Sequence, residues 1–133
     1  MKKLLTSALL ALVALAATAK DYTLNTPNSS LIITAIKEKP LYFRYYGSRA
    51  EVEDVRAAGR MVKYEAYPAF GTNCSAPYAA LVKQSNGDNS SKLVVEKSQL
   101  TTTDHLTTLS VWLKDVAHSN LAIKVNYSAY DDC

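Results

Sequence analysis

The sequence predicts a mainly β protein, an antiparallel β-sandwich that is incomplete and carries one short surface helix. Three observations predict it. Most of the chain after residue 20 alternates apolar and polar residues with period two, the pattern of half-buried strands. Turn-forming residues interrupt that alternation at short intervals, as at Thr26-Pro27-Asn28 and Asn86-Gly87-Asp88-Asn89. The last thirty residues hold two long alternating runs joined by a short polar segment, each with one apolar and one mixed face.

The elements follow in order. Asp21 to Thr26 reads as a strand ended by the Pro27 turn, and Ser30 to Ile36 as an apolar, β-branched strand. The turn Lys37-Glu38-Lys39-Pro40 leads to the aromatic strand Leu41 to Tyr46, which Gly47-Ser48 ends. Glu51 to Ala58 is the one helical stretch. Its acids (Glu51, Glu53, Asp54) come first and Arg56 comes late, the order that the helix dipole favours. Gly59 stands where a C′ glycine belongs.

Met61 to Tyr67 reads as an irregular strand, and Pro68 to Pro77 as a loop. Ala79 to Gln84 and Lys92 to Lys97 read as the two strands of a hairpin closed by Asn86-Gly87. In His105 to Asp115, Leu109, Val111 and Leu113 share one face while Ser110, Trp112 and Lys114 share the other. Leu121, Ile123, Val125 and Tyr127 alternate in the same way against Ala122, Lys124, Asn126 and Ser128. That gives seven or eight strands.

The first residues read as a targeting segment. Lys2 and Lys3 precede an uncharged run from Leu4 to Ala17, and Ala17-Thr18-Ala19 has the small-x-small form of a signal-peptidase site. The run has 14 residues, short of the roughly 20 that span a bilayer. Residues 1–19 are therefore expected to be a cleaved signal peptide, with cleavage after Ala19. Residues 20–133 are expected to be a secreted or periplasmic domain without membrane attachment, truncated at its C-terminal end, because a long strand runs straight into Tyr130-Asp131-Asp132-Cys133.

Composition excludes several functions. The formal net charge is +3, and it falls to +1 without Lys2 and Lys3. Nucleic-acid binding, which needs a concentrated cationic face, is not expected. The two cysteines, Cys74 and Cys133, allow one disulfide in an oxidising compartment, or both stay unpaired. His105 and His118 stand 13 residues apart with no cysteine pair beside them, so no metal site and no cofactor is expected. His105 reads as a surface residue at a strand start and His118 as a turn residue.

Paired carboxylates can hydrolyse a glycoside when held at the right separation. The acids here are scattered over a helix start (Glu51, Glu53, Asp54), a turn (Asp88), strand ends (Asp104, Asp115) and the terminus (Asp131, Asp132). Each reads as solvated surface. No nucleophile elbow or phosphate loop occurs. Nine tyrosines and Trp112 allow a sugar-stacking face, although aromatic residues are ordinary in strands.

Several segments taken together resemble one family. Tyr64-Glu65-Ala66-Tyr67-Pro68-Ala69-Phe70-Gly71-Thr72 is similar to the tyrosine-proline, aromatic-glycine loop near the start of family 36 glycoside hydrolases, the α-galactosidases. Tyr42 to Arg49 resembles that family's early strand running into a glycine and an arginine. Leu109 to Asp115, followed by Leu121 to Tyr130, resembles its Leu-Lys-Asp strand and the tyrosine-rich strand after it. Order and spacing agree across nearly all of Lys20 to Cys133.

The resemblance implies a non-catalytic N-terminal β-supersandwich domain. The catalytic (β/α)₈ barrel with its two aspartates would follow it, and none of that barrel is in these 133 residues. Catalytic residues are therefore expected to be none, with the α-galactoside substrate held by the missing barrel. The family's members are often tetramers, so the full-length parent is expected to be a homo-oligomer.

A loop of this domain can reach a neighbouring active site in the family, often reading Gly-Thr-x-Asp-Phe-Arg. Here it reads Gly71-Thr72-Asn73-Cys74-Ser75-Ala76-Pro77, without the aspartate, phenylalanine and arginine. Thr72, Asn73 and Cys74 are the weak substrate-binding candidates that remain. The alternatives are a stand-alone secreted carbohydrate-binding module and an envelope interaction module that completes its sandwich with a partner's strand.

Overall fold

A computed structural model describes residues 18–72, 77–118 and 120–132. Two antiparallel sheets form the predicted sandwich. Strands β1 (Lys20–Asn25), β2 (Ser29–Ala35), β3 (Tyr42–Ser48) and β4 (Tyr64–Glu65) make the first sheet in that order, with helix α1 (Val52–Ala57) between β3 and β4. Strands β5 (Leu93–Thr102), β6 (Leu106–Asp115) and β7 (Ala122–Tyr130) make the second. Among the described residues no helix is long and apolar enough to cross a membrane.

The turns form for the reasons their sequences suggest. Between β1 and β2, the Thr26 amide donates to the Ser29 carbonyl at 2.9 Å and the two hydroxyls meet at 2.7 Å. Helix α1 begins after Glu51, ends at Ala58, and buries Val55. Gly59 follows with φ +67°, as placed from the sequence. Val55 packs with Ile32 and Tyr45 into a small cluster of its own.

The main core lies between the sheets. Leu109, Val111 and Leu113 of β6 meet Tyr22, Leu24, Ile33, Leu93 and Val95. All three β6 residues are essentially inaccessible, each contributing roughly 1.5–3 kcal/mol by leaving water. One polar contact crosses this interior, Tyr22 Oη to Ser98 Oγ at 2.8 Å. The predicted faces of β6 and β7 agree with the observed burial residue by residue.

Four of the strand expectations need correction. Ala79 to Gln84 is not a strand. The Asn86-Gly87 turn does close, with the Gln84 amide on the Asp88 carbonyl at 2.7 Å. Yet no partner is open to the segment, because β5 is engaged on both edges at its start. β6 pairs along one edge, and Lys37–Lys39 binds the other through Glu38 N to Val95 O and Val95 N to Lys39 O. Leu81 is left exposed, and Ala80 bridges to Ala69 instead.

Met61 to Tyr67 contracts to the two-residue β4. β3 runs on through Gly47 and Ser48, which pair with Ser30 and Ser29. β5 continues past Lys97 to Thr102, its polar second half exposed but fully paired to β6.

Candidate functional site

The irregular segments 66–72 and 77–92 pack against the turn after β6, at the end of the sandwich where β5 begins. Ser91 N bonds the Phe70 carbonyl at 2.8 Å, Val116 N bonds the Lys92 carbonyl at 2.9 Å, and Ala79 N bonds the Pro68 carbonyl at 2.7 Å. Phe70 and Tyr78 meet edge to face, with centroids 5.4 Å apart. With Ala69, Gly71 and Thr72 they line a cavity of about 280 Å³.

Gly71 is required there. Its φ is +92°, and a β-carbon would lie 2.4 Å from Ser90 Cβ. Thr72 turns its polar groups inward, its hydroxyl donating to the Ala69 carbonyl at 2.8 Å. It shapes the turn. Asn73 and Cys74 lie outside the described residues, as does Cys133, and with them the candidate disulfide.

The acids of this end serve as anchors. Asp115 was expected to be solvated and is instead buried. Its Oδ1 accepts the Lys92 and Ala117 amides, each at 2.9 Å. Burial opposes its ionisation, but hydrogen bonds led by those two amides outweigh burial and hold its carboxyl below the ordinary value. The turn after β6 and the entry into β5 are tied together through this one oxygen.

Asp88 plays a similar part at the surface. The amide and hydroxyl of Ser90 donate to its Oδ1, lowering its carboxyl further than the neighbouring His118 does. His118 Nε2 lies 3.1 Å from Asp88 Oδ2 and 3.1 Å from the Ser90 carbonyl. His118 is thus a turn residue, as expected, with a specific partner thirty positions earlier. His105 is exposed at the start of β6, 3.1 Å from Asp131. Among the described residues no group of three or more His, Cys, Asp or Glu could hold a metal ion.

These contacts decide what the arrangement can do. A second cavity of about 440 Å³ brings Glu96 and Asp115 to one lining with Lys114. Glycoside chemistry needs a proton-donating carboxyl with a raised pKa beside an ionised one. Asp115 has the opposite shift, and Lys114 Nζ is engaged by Glu38 Oε1 at 2.7 Å. A third cavity, of about 460 Å³, is lined by Phe43, Tyr45, Tyr46, Arg60 and Val62 among others, and no carboxylate lines it.

Trp112 has its ring flanked by the neighbouring strands. Lys97 Nζ lies 4.4 Å and Lys124 Nζ 4.8 Å from the ring centroid, and the two lysines pair with Trp112 from β5 and β7 on either side. Cations so placed occupy the ring faces. A sugar would have to displace them in order to stack.

No protein-family model matches the sequence, and no curated protein does. Solved structures match the fold. The family 36 α-galactosidase AgaA of Geobacillus stearothermophilus superposes with a TM-score of 0.67 at 19% identity, over 84% of this chain and 20% of the enzyme. The α-galactosidase of Lactobacillus brevis gives a TM-score of 0.67 at 20% identity with the same coverage. The galactosidase domain of an α-galactosidase-sucrose kinase gives 0.64 at 18% identity, over 87% of this chain and 21% of that one. The chain spans about a fifth of each of these proteins. It therefore has the fold of one part of the family 36 α-galactosidases, about a fifth of their length.

Proposed function

We propose that residues 20–133 are the non-catalytic β-sandwich domain of a longer, secreted glycoside hydrolase that acts on terminal α-galactosides with retention. The observation that carries this reading is the fold match, which covers 84% of this chain and only 20% of an α-galactosidase. The ordered segments Tyr42 to Arg49, Tyr64 to Thr72 and Leu109 to Tyr130 support the same family. Within this chain Asp88 and Asp115 hold turns by accepting backbone amides, and hydrogen bonds keep the Asp115 carboxyl below its ordinary value, away from proton donation. Substrate and retaining chemistry belong to a barrel that these 133 residues do not contain. Oligomerisation belongs to the whole enzyme.

Export rests on the Lys2-Lys3 pair, the apolar run and the Ala17-Thr18-Ala19 site. The domain's role is architectural. Its sandwich carries the Phe70–Thr72 turn at one end, held by Ser91 N on the Phe70 carbonyl and by Thr72 on the Ala69 carbonyl.

The test is galactose release from raffinose or an aryl α-galactoside by the purified 133-residue product. Release should equal that of a mock-purified control. Turnover above the control overturns the non-catalytic assignment.

A further inference from the structure

The tip of the turn at residues 84–88 carries chemistry that the sandwich does not use. Of the seven asparagines, Asn86 alone precedes a glycine. Asn86 and Gly87 are both exposed. Gly87 has no side chain to shield its amide nitrogen, and the space where a β-carbon would stand is open. The Asn86 side chain is bent back on the main chain, its Oδ1 accepting the Asp88 amide at 3.0 Å. That amide points at the oxygen on which charge would collect if a nucleophile added to Asn86 Cγ. The nearest nucleophile along the chain is the Gly87 nitrogen, which reaches Cγ by closing a small ring.

Other contacts restrain this reaction. The Gly87 amide donates to the Gln84 carbonyl at 3.0 Å, and the Gln84 amide donates to the Asp88 carbonyl at 2.7 Å. Asp88 is held in turn. The Ser90 amide and hydroxyl donate to its Oδ1, and His118 Nε2 lies 3.1 Å from its Oδ2. His118 also reaches the Ser90 carbonyl at 3.1 Å, and it comes from the turn after β6. The Gly87 nitrogen is free to react only when its bond to Gln84 opens, and that opening is resisted by a residue distant in sequence.

We propose that Asn86 is a self-modification site, converted to aspartate and isoaspartate through a succinimide, and that the His118–Asp88 contact sets the rate by holding the turn shut. The Gly87 nitrogen gives up its proton and bonds to Asn86 Cγ. The Cγ–Nδ2 bond breaks, and the side-chain amide leaves with that proton as ammonia. Water then opens the ring. Opening at Cγ leaves aspartate, and opening at the main-chain carbonyl leaves isoaspartate. No other reactant is consumed. Isoaspartate lengthens the main chain by a methylene between residues 86 and 87, and either product sets a new carboxylate close to Asp88. Both changes oppose the closure between Gln84 and Asp88, so conversion loosens the tie between this turn and the one after β6.

The test is to age the folded 133-residue chain at neutral pH beside a synthetic peptide of residues 84–92. Peptide mapping after cleavage at Lys83 and Lys92 reads a mass gain of about 1 Da, and an isoaspartyl methyltransferase reads the isoaspartate. Conversion should occur at Asn86, ahead of the exposed Asn28 and Asn89, which precede serines. The folded chain should react at least about fivefold more slowly than the peptide, the factor that one ordinary hydrogen bond gives against turn opening. Hydrogen exchange at the Gly87 amide should be slowed by the same factor. His118→Ala should speed the folded chain about fivefold. His118→Gln, which keeps a nitrogen donor in reach of Asp88, should stay slow. If His118→Ala loses the native circular-dichroism spectrum, the Gly87 exchange and the peptide comparison decide alone. An Asn86 that outlasts Asn28 or Asn89 overturns the assignment. A folded rate equal to the peptide's, an exchange factor that disagrees with it, or a folded His118→Ala that reacts like the parent overturns the restraint by His118.

Discussion

Asp115→Ala should be among the most damaging single changes outside the apolar core. The carboxylate is 3% exposed, and its Oδ1 receives two backbone amides at 2.9 Å. Hydrogen bonds to a charged acceptor contribute roughly 1.5–3 kcal/mol each, and losing a buried partner adds the desolvation of the groups left behind. Because one oxygen serves both amides, the lower end applies, and the loss should be about 3 kcal/mol. For a domain of this size that lowers Tm by about 12 °C.

The effect depends on pH. The folded carboxyl lies below its ordinary value of 3.8, so its contribution is complete above that value and disappears as pH falls through the folded value. Urea unfolding followed by circular dichroism at neutral pH and near pH 3 reads both quantities. Asp115→Ala should be less stable at neutral pH, with a gap that narrows in acid. Asp115→Asn, which keeps an acceptor but not the charge, should fall between. A neutral-pH loss under about 1 kcal/mol, or a gap that is constant with pH, refutes the anchoring role.

Other substitutions probe other parts of the account. Gly71 and Gly87 have nearly equal φ, +92° and +89°, but only Gly71 is crowded, by Ser90. Gly87→Ala should cost about 1 kcal/mol and Gly71→Ala at least about 3 kcal/mol by thermal unfolding; equal costs would contradict the packing at Ser90. Leu109→Ala empties the centre of the main core and should cost about 2–5 kcal/mol without changing the denaturant slope. Tyr22→Phe removes the bond to Ser98 between the sheets and should cost about 1 kcal/mol, with no further loss when Ser98→Ala is added.

The strands of the second sheet were legible because their surroundings are simple. Leu109, Val111 and Leu113 face one core, their neighbours face water, and period two records both. The helix was legible from its charge order and Gly59. The hairpin assigned to Ala79–Gln84 failed because local turn chemistry says nothing of which edges are already taken, and Lys37–Lys39 had taken this one. The second half of β5 was hidden because Gln99 to Thr102 are exposed, and a solvated strand leaves no apolar alternation.

At the site, Thr72 lies in the turn that the Gly71 motif marked. The full roles of Asp88 and Asp115 were not readable, since each has a local partner (Ser90, Ala117) but also one distant in sequence, His118 for Asp88 and Lys92 for Asp115. A carboxylate used to bind backbone looks, in sequence, like one left in water.

The central claim is that this sandwich belongs to a longer galactosidase, and the coding sequence downstream of codon 133, read on fresh template, tests it most directly. The account predicts a frame that continues, or resumes after one shift, into further strands and a (β/α)₈ barrel carrying two catalytic aspartates. A confirmed stop with no barrel-encoding frame beyond it would contradict the account.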